Sequence, residues 1–194
     1  MFIETETTPN PSSLKFLPGQ QVMGQGTREF ATPEAAEASP LAQAIFDTGE
    51  VVNVFFGGDF VTVTAAPGVN WTDLKPQVLA ILLDHFVSQA PLFTPGTAGG
   101  IAVPPEAEAD MLVEERDEDS DIIAQINELL ETRVRSAVAG DGGDIRYRGF
   151  KDGIVYLTMQ GACAGCPSST ATLKHGIEGL LKHYVPEVEE VRAA

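Results

Sequence analysis

Gly161-Ala162-Cys163-Ala164-Gly165-Cys166-Pro167-Ser168-Ser169 holds both cysteines of this 194-residue chain. Before it runs Ile154-Val155-Tyr156-Leu157-Thr158-Met159, β-branched and aromatic. After it Leu173, Ile177, Leu180, Leu181 and Tyr184 recur at helical spacing on one face. The pattern predicts a strand, a Cys-x-x-Cys loop and a helix, in that order. Working outward, Lys151-Asp152-Gly153 joins the strand to an earlier one, Ile145 to Phe150, through an Asp-Gly turn. Asp141-Gly142-Gly143-Asp144 reads as a turn, preceded by a helix that starts at Asp119 or Ser120, carries Ile122, Ile123, Ile126, Leu129, Leu130, Val134 and Val138 as its apolar stripe, and stops at Gly140. Pro186 ends the last helix before a short strand, Val188 to Val191. The C-terminal part is thus ordered α-β-β-(CxxC)-α-β.

Charge separates this part from the rest of the chain. Residues 1 to 95 hold 10 acids and 3 bases, residues 96 to 119 hold 8 acids and 1 base, and residues 120 to 194 hold 10 acids and 8 bases. The middle stretch, with Gly96-Thr97-Ala98-Gly99-Gly100, Pro104-Pro105 and the run Glu114 to Asp119, is too polar and self-repelling to pack, and reads as an acidic tether. The expected fold class is α+β: two small domains, 1–95 and 120–194, joined by a flexible linker over 96–119. In the first, Ser39-Pro40 begins a short helix that Gly49 closes, and the runs Val51 to Phe56 and Phe60 to Thr64 form a hairpin around Gly57-Gly58-Asp59. Thr72 is expected to cap a helix bearing Leu74, Val78, Ile81 and Leu82, with His85 partly exposed on it and not a ligand.

The balance of 12 bases against 28 acids gives a net charge of −16, which repels nucleic acid and anionic membranes. No stretch approaches the roughly 20 apolar residues of a membrane helix. The N-terminus, Met1-Phe2-Ile3-Glu4-Thr5-Glu6, lacks the basic and apolar regions of a signal peptide, and its glutamates argue against a transit peptide. A bacterial cytoplasmic location is expected, or the mitochondrial matrix for a form whose leader has been removed.

A Cys-x-x-Cys pair between a strand end and a helix start lies where amide groups and the helix dipole favour thiolates, the ligand form of cysteine. Gly161 and Gly165 permit sharp turns, and Pro167 suits a first helical position. Three chemistries compete. A dithiol oxidoreductase would place the motif early in a domain, whereas only 28 residues follow Cys166. A zinc-dependent dimeric interaction module would need further ligands, because tetrahedral zinc takes four; His175 and His183 are read as exposed helix residues instead. A two-fold dimer that sets two such loops face to face supplies the four thiolates that hold a [2Fe–2S] or [4Fe–4S] cluster. Met159 is read as a core residue, Asp141 to Asp144 as a turn and not an iron contact, and Ser168 and Ser169 as helix-start residues.

The segment from Ile122 to Val191, with Asp141-Gly142-Gly143-Asp144 and Gly161-Ala162-Cys163-Ala164-Gly165-Cys166-Pro167-Ser168-Ser169-Thr170, resembles the NifU-like domain of the Nfu family of iron–sulfur cluster carriers. The first domain, through Thr7-Thr8-Pro9-Asn10-Pro11-Ser12-Ser13-Leu14-Lys15-Phe16, resembles the Nfu N-terminal domain. The resemblance implies a labile cluster, usually [4Fe–4S], bridged between two protomers by Cys163 and Cys166 and delivered to apo iron–sulfur proteins. It also implies an upstream scaffold that supplies the cluster, a homodimer when loaded, and no enzymatic turnover.

Overall fold

The computed structural model describes residues 2–95, 117–164 and 167–193. Two compact units divide the chain, Met1–Ile101 and Ala102–Ala194. Most of the expected tether, 96–116, lies outside the described residues, as do Gly165 and Cys166 and the side chains of Ser168 and Ser169.

The first unit is a five-stranded antiparallel sheet of order β1-β2-β5-β4-β3. Its strands are β1 (Glu4–Thr7), β2 (Ser13–Leu17), β3 (Arg28–Phe30), β4 (Val51–Phe56) and β5 (Val61–Ala65). Helices α1 (Pro33–Ala36), α2 (Pro40–Phe46) and α3 (Trp71–Ser88) complete it. Phe16, Phe30, Phe56, Leu41, Ile45 and Leu82 are buried in one apolar cluster between sheet and helices. The β4–β5 hairpin and α2 stand where the sequence puts them, and Gly49 turns out of α2 at φ +76°. Three strands in the first 30 residues go beyond that reading. β1 alternates Glu and Thr with little burial and β3 has three residues, so neither carries an apolar period of its own.

Two local expectations are corrected. Asn70, not Thr72, caps α3: its side-chain oxygen accepts from the Thr72 backbone N–H at 3.0 Å, and an N-cap works from outside the helix. His85 is buried, not partly exposed, beside the Phe86 ring at 5.3 Å. That burial lowers its pKa, with Asp84 opposing the shift.

In the second unit a turn of 3₁₀ helix leads into α4 (Ser120–Leu129), followed by a π turn over Leu130–Val134 and then α5 (Arg135–Gly140). The sequence predicts one uninterrupted helix here. The reason for the wide turn lies in the spacing: Ile126, Leu130, Val134 and Val138 are four apart and all buried. Four-residue steps drift about 40° each around a 3.6-residue helix, and a wider turn takes up part of that drift. β6 (Gly143–Lys151) and β7 (Ile154–Gly161) form the expected hairpin, with Asp152 at φ +50° and Gly153 at φ +80° in its turn. Helix α6 (Pro167–Tyr184) returns to β8 (Glu190–Ala193), which pairs parallel with β7 to give the order β6-β7-β8. β8 starts two residues later than expected, because Val188 still belongs to the turn after α6, its N–H donating to the Val185 carbonyl at 3.0 Å. Glu178 on α6 accepts from the Val191 N–H at 3.1 Å and so ties the helix to the last strand. Tyr184, expected on the apolar face, is 46% exposed at the helix end, where Arg133 stands 5.0 Å over its ring.

Ser39 is the most testable local joint of the first unit. It is fully buried, caps α2 through the Ala42 N–H at 3.3 Å, and donates to the Leu92 carbonyl at 2.5 Å. Ser39→Ala is expected to destabilise the first unit by about 1–2 kcal/mol. Urea unfolding followed by Trp71, the single tryptophan, checks this; an unchanged midpoint would mean the joint contributes little.

Candidate cluster-binding loop

The site is built where β7 ends. Gly161, at φ +68°, turns the chain out of the strand, and the Ala164 N–H donates back to its carbonyl at 3.1 Å. The Ala162 N–H donates to the Gly142 carbonyl at 3.1 Å, so the Cys loop is stitched to the turn between α5 and β6. Gly142 holds that turn at φ +82°. From the other side, the Thr170 hydroxyl on the first turns of α6 donates to the Cys163 carbonyl at 3.0 Å. The loop is thereby fixed at three points, contributed by the α5–β6 turn, the end of β7 and the start of α6.

Cys163 does not project from this loop. It is 4% exposed and belongs to the apolar cluster with Met159, Ile177 and Leu181. Its sulfur lies against Gly143: a Cβ built at that glycine would stand 2.9 Å from Sγ and 2.5 Å from the Gln160 carbonyl oxygen. Burial, followed by the negative charges of Asp141 and Asp144, pushes the Cys163 thiol up to about 12. The expectation that the motif favours thiolate is therefore overturned for Cys163 in this conformation. It precedes the first residue of α6 by four positions, and its surroundings are a desolvating core and two carboxylates, all of which favour the neutral thiol. Cys166, the other expected ligand, lies outside the described residues.

Asp144 is the feature the sequence reading missed. The sequence puts it in a turn, but it is the second residue of β6 and is buried. Arg135 grips it with two parallel bonds, Nε to Oδ1 at 2.9 Å and an NH2 group to Oδ2 at 2.8 Å, while Glu131 takes a third guanidinium nitrogen at 2.5 Å. The hydrogen bonds that Arg135 donates to Asp144 outweigh desolvation and hold its pKa above the ordinary value. Arg135 is the first residue after the π turn, so the irregular helix also aims this clamp at β6. Nine residues separate the pair, too far apart for a helix-spacing rule to connect them.

Three further residues stand as the sequence reads them. Met159 is buried in the core, and His175 and His183 are exposed on α6. No group of three or more His, Cys, Asp or Glu side chains among the described residues could hold a metal ion. Nor is any described helix long and apolar enough to cross a membrane.

The buried thiol makes a reactivity prediction. In a Cys166→Ser variant, alkylation of Cys163 at pH 8 should run at least roughly a hundredfold slower than in the urea-unfolded chain and climb steeply above pH 9. Gly143→Ala should accelerate it by displacing the sulfur. Equal rates in folded and unfolded chains would contradict the burial. The stability sign follows from the same shift. The folded thiol, at about 12, binds its proton more tightly than an unfolded one near ~8.5, so its contribution is fully present below that pH and is lost as pH rises toward 12.

Comparison with known proteins matches both units. Residues 3–89 match the family described as scaffold protein Nfu/NifU N terminal, and residues 126–192 match the NifU-like domain. The chain is 51% identical over 193 residues to NifU-like protein 4, mitochondrial, of Arabidopsis thaliana, covering 98% of this chain and 65% of that protein. It is 48% identical over 192 residues to the human NFU1 iron-sulfur cluster scaffold homolog, mitochondrial, covering 98% of this chain and 71% of that protein. A solution NMR structure of a NifU-like protein from Saccharomyces cerevisiae aligns with 49% of this chain and 86% of its own, at 27% identity and a TM-score of 0.45. The chain thus spans about two thirds of the length of the curated relatives it matches. With both domain types present in order and near 50% identity across them, the chain belongs to the Nfu/NifU family of iron–sulfur cluster scaffold proteins.

Proposed function

We propose that the chain is an iron–sulfur cluster carrier. Two copies hold a labile [4Fe–4S] cluster as cargo through Cys163 and Cys166 of each, receive it from an upstream scaffold and release it to apo iron–sulfur proteins, without catalytic turnover. The observation that carries this reading is the ligand count. The chain has two cysteines, both in one loop, and a cluster held by thiolates takes four. A second copy supplies the missing pair through an isologous contact. The name of the human relative, an iron-sulfur cluster scaffold homolog, supports the cargo. The relatives' names also favour the mitochondrial alternative for location, and nothing supports a bacterial cytoplasm. We further place the working boundaries at 1–95 and 120–194, so that the acidic stretch 96–119 separates the cluster domain from the first domain.

Burial of Cys163 adds a condition. Loading requires the sulfur to leave its seat over Gly143 and reach the surface as thiolate, so uptake includes an opening of the loop. The three ties on that loop are single hydrogen bonds, each contributing about 1 kcal/mol, within reach of what ligand binding provides. A dithiol oxidoreductase needs an accessible attacking thiolate, which Cys163 does not offer here.

Anaerobic incubation with ferrous iron and sulfide tests the proposal. About two iron and two sulfide ions per chain are expected, with a visible absorption band. Cys163→Ser and Cys166→Ser should each reduce bound iron to background. Iron retained by either variant would overturn the ligand assignment. One iron per chain would replace the cluster type with [2Fe–2S], and colourless protein binding half a zinc per chain would replace the cargo.

A further inference from the structure

The β6-β7-β8 sheet packs its helices against one face only among the described residues: Ile145, Phe150, Val155, Leu157 and Val191 face the apolar cluster with α4, α5 and α6. The opposite face can be read from the register. Arg146 pairs with Thr158, Lys151 with Ile154, and Tyr156 with Arg192, so these side chains share the outer side. Strand β6 carries a bulge between Tyr147 and Gly149, and Arg148 is its extra residue. Arg148 Nε donates to Thr158 Oγ1 at 2.9 Å, which places its guanidinium on the same face as Thr158. Simple alternation from Arg146 would put Phe150 on the outer side and Lys151 in the core; the extra residue shifts the parity, so that Phe150 faces the core and Lys151 joins Arg146 and Arg148 outside.

The outcome is four cationic side chains, Arg146, Arg148, Lys151 and Arg192, on one small sheet of a chain whose net charge is −16. Lys151 and Arg192 are exposed, and Arg146, Arg148, Tyr156 and Thr158 are half-buried. Two acids share the outer side of the pairing. Glu190 is held by one of the four cations, Arg192, through two bonds at 3.0 Å, and Asp144 at the far end of β6 by a cation from outside the set, Arg135. Asp152 and Glu189 border the hairpin turn.

We propose that this face is a docking surface for an acidic segment of a partner protein. Arginine forks match carboxylates geometrically, and Tyr156 and Thr158 between them offer neutral contact area. The overall charge selects the occupant. An extended polyanion, whether nucleic acid or an anionic membrane, meets the field of the whole acidic chain. A short acidic segment interacts mainly within a Debye length of about 8–10 Å, where it meets the four cations of the face against Glu190 on it and Asp152 and Glu189 at its border, and not the acidic first 119 residues.

The test uses the full-length apo chain at low salt and a fluorescein-labelled peptide alternating glutamate and serine, read by anisotropy and by amide shift mapping. Saturable binding is expected, with shifts centred on residues 146–151 and 154–158. The Lys151→Glu/Arg192→Glu double variant should weaken it at least tenfold. Arg148→Gln, which adds no negative charge, should weaken it about threefold or more, and raising salt from about 50 to 200 mM should weaken it as well. Absence of binding, unchanged affinity in the variants, or shifts confined to other residues would overturn the proposal. Tighter binding of a single-stranded DNA of equal charge, or of phosphatidylserine vesicles, would also overturn it. Since no cluster is loaded, failure here leaves the carrier reading untouched.

Discussion

Cys163 can lie in the core of the second unit because position 143 has no Cβ. A methyl group there would overlap the Gln160 carbonyl oxygen and press on the cysteine sulfur, so that either the β6–β7 pairing or the loop would have to shift. Much of the local architecture depends on this close approach. Gly143 pairs with Gly161, the residue that turns the chain out of β7, and the neighbouring Gly142 carbonyl receives the loop's Ala162 N–H. Asp144, one residue further on, anchors the start of β6 to Arg135 on the helix behind it. The glycines let the loop come close, and the ion pair keeps the strand beneath it from moving away.

That arrangement describes a protected thiol. Under the proposed carrier function, a ligand for a labile cargo has two opposing requirements: it must become a thiolate when the cargo arrives, and it must resist oxidation and stray metals in between. Packing Cys163 among Met159, Ile177 and Leu181 meets the second, since a desolvated thiol stays protonated and out of reach. The first then depends on opening a loop of few residues held by isolated hydrogen bonds, which is an easier rearrangement than exposing a strand.

Much of this was legible in the residues. The Cys-x-x-Cys loop between a strand and a helix, the Asp-Gly hairpin before it, the presence of a short last strand and the hairpin of the first unit follow from turn chemistry and periodicity, which act within a few residues; that the last strand pairs parallel with β7 does not. What escaped depends on distant partners. β1 pairs with β2 across a turn and β2 with β5 across some fifty residues, and only the pairing makes strands of such short segments. The Arg135–Asp144 clamp joins a helix to a strand. The state of Cys163 was misjudged because position next to a helix start is visible in sequence, whereas desolvation and the carboxylates around it are properties of the fold. Charge shows the same division. The total is dominated by the first 119 residues, while the cations on the outer face of the second sheet emerge only once register and a bulge align them.

The central claim is that half a ligand set in each chain is completed by a second copy. Native mass spectrometry of the anaerobically loaded protein addresses this most directly, because it weighs chains and inorganic atoms together. The account predicts a species of two chains plus one four-iron, four-sulfide cluster, collapsing to the cluster-free chain when either cysteine is replaced by serine. A loaded species containing one chain with all its iron, in the absence of any added thiol, would contradict it.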